Sequence, residues 1–421
     1  METLDLEQYS GELAENAKLA AAKIRTLPAE TRNLALKLAA EKLRARAGEI
    51  LAENAKDVKA ATGTLSPAML DRLTLNEKRI EAMAKGAEEI AAFADPLNRV
   101  LEARELPNGI KISRIAVPIG AIFFIYESRP NVTIDGASLC LKSGNAVILR
   151  GGKESIHSST CLSEIFREAL AEAGIPKDAV QFVHTPDRQL MSLLLLRNDA
   201  LDLVIPRGGE GLIRAVVAQS RIPVIKHFNG ICHVFVEKSA DLDMAARIVD
   251  NAKTNRPGTC NAMETLLLDS ALPDSAVQKI LAPLEEKGVE IFGNEAALAR
   301  LPGLKPIDDA SKYGTEFLSL KMNLKFVSGV EEAAAHIEKF SSRHTDAIVT
   351  ESEEAAAYFI ANVDSSSVMV NASTRFADGG EYGLGAEVGI STDKLHARGP
   401  MGVESLCTYR WILRGNGQLR K

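Results

Sequence analysis

The chain has 421 residues, of which 46% are hydrophobic and 25% charged, so it should fold as about two to four globular domains or lobes. Its 50 basic and 56 acidic residues give a net charge of −6 without any block of like charge. This mild, scattered charge gives no support to a nucleic-acid or membrane-surface role.

The N-terminal part, up to about residue 95, predicts helices, because apolar residues recur at steps of three and four. The apolar stripes comprise Leu13, Ala17, Ala20, Ile24 and Leu27 before Pro28, and Leu36, Leu43 and Ile50 after it. We expect these helices to pack on another part of the molecule.

The first residues, METLDLEQYSGELAEN, lack the basic and apolar regions of a signal peptide, and no apolar run approaches the ~20 residues of a membrane span. We therefore expect a cytoplasmic location.

Residues 100–118 predict a β-hairpin, in which alternating apolar and charged residues flank the turn Pro107-Asn108-Gly109. We expect the hairpin to protrude and to pair with another subunit. A last strand, CTYRWIL at 407–413, follows a Gly-rich region and is expected to cross to a neighbour. Together these two segments predict a homo-oligomer.

Between them, short apolar runs alternate with helical stretches, which is typical of parallel sheets covered on both faces. The predicted strands are IGAIFFIY from 119, then 145–150, 178–184, 201–206 and 223–228, followed by 264–269, 289–293, 324–327, 346–351 and 366–371. The fold class is therefore α/β, with two doubly wound, Rossmann-like parallel-sheet domains and a hairpin and C-terminal strand for oligomerisation. We assign residues 1–99 and 119–230 to a nucleotide-binding domain, 231–400 to a catalytic domain, and 100–118 and 401–421 to the oligomerisation element.

Three loops are expected at the carboxyl ends of strands, where open parallel sheets bind ligands. They are LRGGKES after Arg150, IPRGGEG after Pro206 and KHFNGICH after Phe228. The amides of Gly208 and Gly209 open a helix and suit a pyrophosphate, although paired glycines are also common in plain loops. Arg150 and Lys153 suit a ribose 2′-phosphate, although an exposed lysine is often only solvated.

Cys260 is the candidate nucleophile among five cysteines that contain no CxxC pair, so neither a disulfide framework nor a zinc ribbon is indicated. It follows a Pro-Gly turn with Arg256 nearby, a setting that exposes sulfur and favours the thiolate. Cys140 and Cys161 lie in apolar helical surroundings and are expected to be buried. Cys232-His233 with His227 lacks a second ligand pair, so no metal site is predicted.

Motifs along nearly the whole chain resemble the gamma-glutamyl phosphate reductase family of the aldehyde dehydrogenase superfamily. They are YESRPN, LKSGNAVILRGGKES, PRGGEG, NRPGTCNAMETLL, TEFLSLKMN, HTDAIVTE, VNASTRFADGGEYGLGAEVGIST and KLHARGPMGVESL. The C-terminal motifs are specific to that family, whereas the cysteine turn alone is typical of the superfamily.

The resemblance implies NADPH-dependent reduction of L-glutamate 5-phosphate to glutamate 5-semialdehyde, with release of phosphate, in the second step of proline synthesis. It implies that Cys260 forms a thioester, that Arg150 and Lys153 meet the adenosine ribose, that Gly208 and Gly209 lie near the pyrophosphate, and that Glu316 holds the nicotinamide ribose. A glutamate kinase is a candidate partner that would supply the substrate. The competing classes are a hydrolytic aldehyde dehydrogenase and a non-catalytic nucleotide-binding scaffold.

Two positions depart from the superfamily pattern. His227 stands where hydrolytic members carry the glutamate that activates water, which favours reduction over hydrolysis; it is either an orienting residue or a strand-end histidine bonded to backbone. Glu127 stands where the oxyanion-stabilising asparagine is usual, and Asn131 follows four residues later, so the oxyanion donor stays open among these side chains and the backbone N–H of Cys260.

The substrate carries an ammonium, a carboxylate and a phosphate, so its pocket needs charges of both signs. Candidate contacts are Asn371, Arg375, His396 and Arg398. Each could equally lie in a solvated loop. Arg375 is favoured as the anion contact because a planar guanidinium suits carboxylate or phosphate.

Overall fold

The structure is a computed structural model that describes residues 5–420. The chain forms two compact units: the first comprises the chain up to Lys226, Gly383–Gly389 and the chain from Met401 onward, and the second comprises His227–Tyr382 and Ile390–Pro400. The functional roles assigned to the predicted domains stay predictions. Within residues 5–420, no helix is long and apolar enough to cross a lipid bilayer.

The N-terminal part of the first unit is helical, as predicted. The helices are α1 (Leu6–Ile24), α2 (Ala29–Ala45), α3 (Ala47–Ala61), α4 (Pro67–Leu73) and α5 (Glu77–Ala92). Helix α1 begins where the Asp5 carboxylate accepts hydrogen bonds from the N–H groups of Glu7 at 3.0 Å and Gln8 at 3.1 Å. The predicted stripes are buried except for Leu27, which is half-buried beyond the end of α1. The second stripe is divided at Arg46, so Ile50 belongs to α3 and not to α2.

The parallel sheet of the first unit follows a hairpin. The elements are β1 (Val100–Glu105), β2 (Lys111–Pro118), β3 (Ala121–Tyr126), α6 (Asn131–Lys142), β4 (Ala146–Arg150), α7 (Ile156–Glu172), β5 (Val180–Phe182), α8 (Arg188–Leu195), β6 (Leu203–Arg207) and α9 (Glu210–Gln219). Strands β3–β6 run parallel in the order β5-β4-β3-β6. The chain moves outward from β3 through β4 and β5, and then crosses to the other side of β3.

The strand predicted at residues 223–228 is wrong. Only Val224 forms a bridge, to Val204, because the chain leaves the sheet after Lys226 to begin the second unit. The loop KHFNGICH therefore does not follow a strand; it precedes one.

The second unit is built on one large parallel sheet. Its elements are β7 (Cys232–Val236), α10 (Leu242–Thr254), β8 (Met263–Asp269), α11 (Asp274–Glu286), β9 (Glu290–Gly293), α12 (Glu295–Arg300), β10 (Lys305–Pro306), β11 (Lys321–Val327), α13 (Val330–Phe340), β12 (Thr345–Val349), α14 (Glu353–Asn362) and β13 (Ser367–Val370). The strand order is β10-β9-β11-β8-β7-β12-β13. Strands β7, β8 and β12 are buried at every position, since both sheet faces are covered by helices. The predicted α/β fold of two parallel-sheet units is confirmed.

The last strands are β14 (Gly389–Ser391), β15 (Gly399–Met401) and β16 (Cys407–Arg414). Strand β16 pairs antiparallel with β2, and β2 with β1, which gives a three-stranded sheet in the order β1-β2-β16. The C-terminal strand was expected to cross to a neighbour, whereas it completes the hairpin of its own chain. Tyr409, Trp411 and Leu413 project from it and are exposed.

Candidate active site

Cys260 lies in the turn between α10 and β8, and its side chain is half-buried. Two histidines occupy the equivalent place on the neighbouring strands: His227 precedes β7, and His344 directly precedes β12. Because β8, β7 and β12 are adjacent and parallel, their amino ends meet at one edge of the sheet. The candidate nucleophile therefore lies at the amino ends of its strands, not at the carboxyl ends where the general rule for open sheets locates ligands.

The loop before β7 is pressed against the cysteine turn at Gly230. A Cβ atom at Gly230 would lie 1.7 Å from the carbonyl oxygen of Cys260, so no other residue fits there. The Gly230 N–H donates a hydrogen bond to Glu316 Oε1 at 2.8 Å. The carboxylate that the resemblance assigns to the nicotinamide ribose thus holds the loop beside Cys260, and its contact with the ribose stays a prediction.

His227, Cys260 and His344 form a cluster in which one ring nitrogen of each histidine and the Cys260 Sγ all lie within 4.8 Å of one another. The imidazole rings of the two histidines meet edge to face, with centroids 5.4 Å apart. Nδ1 of His227 lies 2.8 Å from the carbonyl oxygen of Ile390. Because a carbonyl only accepts, Nδ1 carries a proton, and in the neutral imidazole Nε2 is then the acceptor. His227 is therefore bonded to backbone and is also part of the cysteine cluster.

Cys232 lies beneath this cluster, at the start of β7. Its thiol donates to the carbonyl oxygen of Cys260 at 3.2 Å, and burial raises its pKa well above the ordinary value. A buried, protonated thiol packs as a small hydrophobe. Cys232 thus supports the backbone of the turn, while Cys260 carries the more accessible sulfur.

Arg375 spans the cysteine turn. Its guanidinium donates to Thr259 Oγ1 at 3.1 Å, to Asn261 Oδ1, and to Asn255 Oδ1 at 3.2 Å, so it contacts the residues on both sides of Cys260. Burial lowers the pKa of Arg375 from its ordinary value, and the nearby Arg256 acts in the same direction. The favoured anion contact therefore lies beside the candidate nucleophile, which its sequence position alone did not show.

A buried ion pair lies behind the turn. Lys253 Nζ at the end of α10 is 2.8 Å from Glu264 Oε2 in β8, and both side chains are fully buried. Burial raises the pKa of Glu264 to about 7, an effect that Lys253 opposes. The second oxygen, Glu264 Oε1, accepts from the Leu318 N–H at 3.2 Å, two residues beyond Glu316. The pair thus joins the helix before Cys260, the strand after it and the segment that carries Glu316.

In the first unit, the loops after β3 and β6 meet at the point where the strand order reverses, which is the usual ligand position in such sheets. Here Glu127 Oε2 accepts a hydrogen bond from the Gly209 N–H at 2.9 Å, at the N-terminus of α9. A Cβ at Gly208 would lie 2.6 Å from the Glu127 carboxyl carbon, so the backbone approaches closely. The Gly209 amide thus already donates to a negatively charged group, the chemistry that a pyrophosphate contact requires, and the contact of Gly208 and Gly209 with a pyrophosphate stays a prediction.

The cations predicted for the ribose lie at the end of β4. Arg150 is the last residue of that strand and donates to the Pro186 carbonyl at 3.2 Å, and Lys153 is exposed in the next turn. Both belong to the loop after β4, on the same sheet edge as the Gly208-Gly209 loop, because the strands are parallel. Their contact with a 2′-phosphate stays a prediction.

Four other candidates have partners of their own. Glu127 is an acceptor in this arrangement, whereas an oxyanion requires a donor, and the Asn131 amide donates to Asp135 at 2.9 Å within α6. In the second unit, the Asn371 amide exchanges two 2.9 Å hydrogen bonds with the backbone of Thr350.

Arg398 lies 2.9 Å from Asp364 Oδ1 and also donates to the carbonyl oxygen of that residue. The last candidate, His396, is exposed. The bonds described for Asn371 and Arg398 are made to Thr350 and Asp364, and none of them is made to Cys260.

Sequence reasoning missed His344, Lys253 and Glu264. The signal for His344 was its place directly before a strand, as for Cys260, but its proximity depends on β12 lying next to β7. Lys253 and Glu264 are eleven residues apart on either side of the turn, and only the packing of α10 on β8 joins them. None of these contacts follows from spacing along the chain.

The chain matches the model of the aldehyde dehydrogenase family over residues 7–290. The chain belongs to the aldehyde dehydrogenase family. It is 48% identical, over all 421 residues and 99% of the relative, to a gamma-glutamyl phosphate reductase from Paramagnetospirillum magneticum. The family resemblance predicted from the motifs is confirmed, and family membership makes the chain an oxidoreductase that uses a nicotinamide cofactor.

Solved structures agree with this assignment. A crystal structure of gamma-glutamyl phosphate reductase from Thermotoga maritima is 41% identical, with a TM-score of 0.96 over 98% of this chain and all of that chain. An acetylating aldehyde dehydrogenase from Geobacillus thermoglucosidasius is 19% identical, with a TM-score of 0.71 over the whole of both chains, and shares the fold.

Proposed function

We propose that this chain catalyses the NADPH-dependent reduction of L-glutamate 5-phosphate to L-glutamate 5-semialdehyde with release of phosphate, the second step of proline biosynthesis. The proposal is supported by the whole-length similarity to gamma-glutamyl phosphate reductases. The observation that carries the chemistry is the position of Cys260, half-buried at the start of β8 with Arg375 bonded on both sides of it and an imidazole acceptor nearby.

In the first half of the reaction, the Cys260 sulfur attacks the γ-carbonyl of the acyl phosphate. His227 accepts the thiol proton at Nε2, since its Nδ1–H is held by the Ile390 carbonyl. Arg375 binds an anionic group of the substrate beside the sulfur. The backbone N–H of Cys260 is the proposed oxyanion donor. The carbon–oxygen bond to phosphate breaks, and a thioester on Cys260 remains.

In the second half, the nicotinamide cofactor, when bound, supplies the hydride that reduces the thioester carbonyl. The resulting thiohemiacetal on Cys260 collapses as its carbon–sulfur bond breaks, and the semialdehyde leaves. His227 stands where hydrolytic relatives carry the glutamate that activates water, so that carboxylate is missing from beside the thioester. Glu316 positions this side of the site through the Gly230 N–H.

The decisive test is the Cys260→Ala variant. We expect it to lose all reductase turnover while NADPH binding, followed by nucleotide fluorescence, is retained. In the wild-type chain, mass spectrometry after rapid mixing with the acyl phosphate should locate a glutamyl group on the peptide that contains Cys260. A glutamyl adduct on another residue, or full activity of the alanine variant, would contradict the mechanism.

The reverse reaction separates reduction of an acyl phosphate from aldehyde hydrolysis. With glutamate semialdehyde and NADP, we expect turnover only when phosphate or arsenate is present. Turnover of the same rate without either anion would identify a hydrolytic aldehyde dehydrogenase instead.

The preference for NADP is the finer part of the proposal and rests on Arg150 and Lys153 at the end of β4. Lys153→Glu should lower the NADPH to NADH ratio of kcat/KM by roughly 10-fold or more, since a charge-assisted hydrogen bond contributes ~1.5 to 3 kcal/mol. Lys177→Glu, at a lysine that lies before β5, is the matched control and should leave the ratio unchanged. An unaltered ratio in Lys153→Glu would rule out the ribose-phosphate contact.

Further expectations concern substrate and assembly. Asn371, His396 and Arg398 remain proposed substrate contacts, to be tested by an increase in KM on substitution by alanine.

We also propose a cytoplasmic homo-oligomer, with a glutamate kinase as the supplier of the acyl phosphate. The exposed Tyr409, Trp411 and Leu413 support an interface on β16. A monomer in sedimentation at assay concentration would contradict the oligomer.

A further inference from the structure

We propose that His227, Cys260 and His344 form a binding site for a single zinc ion, and that zinc bound there reversibly blocks the nucleophile. The zinc site itself rests on the geometry of these three side chains, whereas its inhibitory effect rests on the proposed function of Cys260. No metal is part of the proposed reaction.

The donor set matches zinc in type and number. One thiol sulfur and two imidazole nitrogens lie within 4.8 Å of one another, and thiolate and imidazole are the ligands that zinc prefers. Tetrahedral zinc holds its nitrogen and sulfur ligands at about 2.0 to 2.3 Å, which puts ligand atoms roughly 3.3 to 3.8 Å apart. Because the observed separations are at most 4.8 Å, the cluster needs to contract by no more than about 1 to 1.5 Å to reach this geometry. Three protein ligands leave the fourth position to water.

His227 makes a backbone hydrogen bond of the kind found in metal-binding histidines. Its Nδ1–H donates to the Ile390 carbonyl at 2.8 Å, which is the outer hydrogen bond that fixes the tautomer of metal-binding histidines. Nε2 then keeps its lone pair for a cation.

The backbone holds the three ligands in place independently. Each precedes a different strand of three adjacent ones, β7, β8 and β12, and those strands are bonded to one another. His344 is fully buried and forms the floor of the site, whereas His227 and Cys260 are only half-buried and leave an entry path. Because the three ligands are already held close together, binding of zinc costs less conformational entropy.

Arg375 limits the affinity of this site for zinc. Its guanidinium contacts Thr259 and Asn261 on either side of Cys260, and a fixed cation near the sulfur repels a second one. Binding also requires the Cys260 thiol to release its proton to solvent. We therefore expect an exchangeable ion that a chelator removes, and not a permanent structural zinc.

Ligation removes the sulfur from catalysis, because its electron pair is shared with the metal and His227 can no longer accept a proton. Zinc is therefore expected to compete with acylation of Cys260 and to leave NADPH binding in the first unit unaffected.

Direct metal binding is the primary test. The purified full-length chain, treated with EDTA and desalted, would be titrated with CoCl2 and with ZnCl2. We expect one ion per chain and an intense near-ultraviolet band from the cobalt–thiolate bond, which ZnCl2 displaces. The band should vanish in Cys260→Ser, and the affinity for zinc should fall at least 10-fold in His227→Asn and in His344→Asn. His157→Asn, at an exposed histidine of the first unit, is the control and should bind as the wild type does.

Turnover supplies the second readout. ZnCl2 should inhibit the wild-type chain, and EDTA should restore full activity. Whatever turnover His344→Asn retains should require at least 10-fold more zinc for the same fractional inhibition; if this variant fails to fold, the cobalt titration of His227→Asn replaces it.

Absence of the cobalt–thiolate band in the wild type, or unchanged zinc affinity in His227→Asn or His344→Asn, would overturn the zinc site. The experiments test the zinc site and the proposed reductase function separately. An inactive reductase that shows the band leaves the zinc site intact but refutes the function, and an active reductase without the band refutes only the zinc site.

Discussion

Lys253 Nζ and Glu264 Oε2 are 2.8 Å apart, with both side chains fully buried behind the turn that carries Cys260. Removing one partner strands a charge in the interior, so Glu264→Gln should lower the free energy of unfolding by about 3 to 5 kcal/mol. The double variant Lys253→Met/Glu264→Leu should lose less than either single variant, because two apolar side chains need no compensating charge.

Urea denaturation measures these changes. The exposed pair Lys312–Asp308, with nitrogen and oxygen 3.1 Å apart, is the control, and Asp308→Asn should cost at most about 1 kcal/mol. Equal losses in the control and in Glu264→Gln would contradict a role for the buried pair.

Gly230 should tolerate no side chain, since its Cβ would lie 1.7 Å from the Cys260 carbonyl oxygen. Gly230→Ala must displace the cysteine turn, and a shift of ~1 Å at a reacting group can lower the rate about 100-fold. We expect kcat to fall by that order while NADPH binding persists. Gly258→Ala is the matched control on the same turn, because its Cβ would lie 3.8 Å from the nearest atom. Comparable kcat values for the two variants would show that the contact does not position Cys260.

Arg375 should be required both for its charge and for its shape. Arg375→Ala is expected to reduce kcat/KM about 100-fold or more, and Arg375→Lys to recover only part of this, because an ammonium cannot contact Asn255, Thr259 and Asn261 together. Steady-state kinetics with varied acyl phosphate provides the measurement. Arg247→Ala, at an exposed position of α10, serves as the control. A lysine variant with full kcat/KM would reduce the role of Arg375 to charge alone.

Glu127 should compete with the cofactor, since its carboxylate accepts from the Gly209 N–H at 2.9 Å in the proposed pyrophosphate position. Glu127→Gln removes one negative charge from that loop and should tighten NADPH binding about 3- to 10-fold, equivalent to roughly 0.7 to 1.4 kcal/mol. Calorimetric titration with NADPH would measure this change in affinity. Glu172→Gln, on the exposed end of α7, should not change the affinity. Weaker binding in Glu127→Gln would mean that the carboxylate helps to hold the nucleotide loop.

His336 should contribute to acid unfolding. Burial lowers its pKa to about 2, and the neighbouring His233 acts in the same direction. The folded chain therefore keeps His336 neutral while the unfolded chain protonates it near pH 6.5, so its stability contribution is present above that pH and is lost as pH falls. The loss approaches about 1.4 kcal/mol per pH unit.

Urea denaturation at pH 7.5, 6.0 and 5.0, three values chosen to bracket the ordinary histidine pKa of ~6.5, would compare the wild type with His336→Gln and with the exposed His157→Asn. The difference in unfolding free energy between wild type and His336→Gln should shrink with falling pH, whereas His157→Asn should follow the wild type. Parallel curves for all three would exclude His336 as an acid-sensitive group.

Much of the architecture was predictable because buried parallel strands appear as short apolar runs between amphipathic helices. The runs at 264–269 and 346–351 became β8 and β12 with ends shifted by one or two residues. Strand β7 was missed because polar and glycine residues precede it and a false strand was assigned just before it. At Lys226 the chain passes from the first unit to the second, and no local sequence pattern marks this change.

The candidate site was predictable only in part, for a related reason. Cys260 and Arg375 were recognised from the chemistry of their side chains and from family motifs. Their proximity, and that of His344, depends on which strands become neighbours, and strand order is set by packing over the whole unit. The same holds for Asn371, whose amide looked suited to a substrate but bonds to the backbone of Thr350.

The pairing of β16 with β2 has a consequence for synthesis on the ribosome. Residues 111–118 emerge early, but their partner at 407–414 emerges after the whole of the second unit. One edge of the hairpin therefore stays unpaired until the second unit has been synthesised. Any association of nascent chains through this sheet before that point would involve an incomplete sheet, so assembly through the finished sheet requires synthesis beyond residue 414.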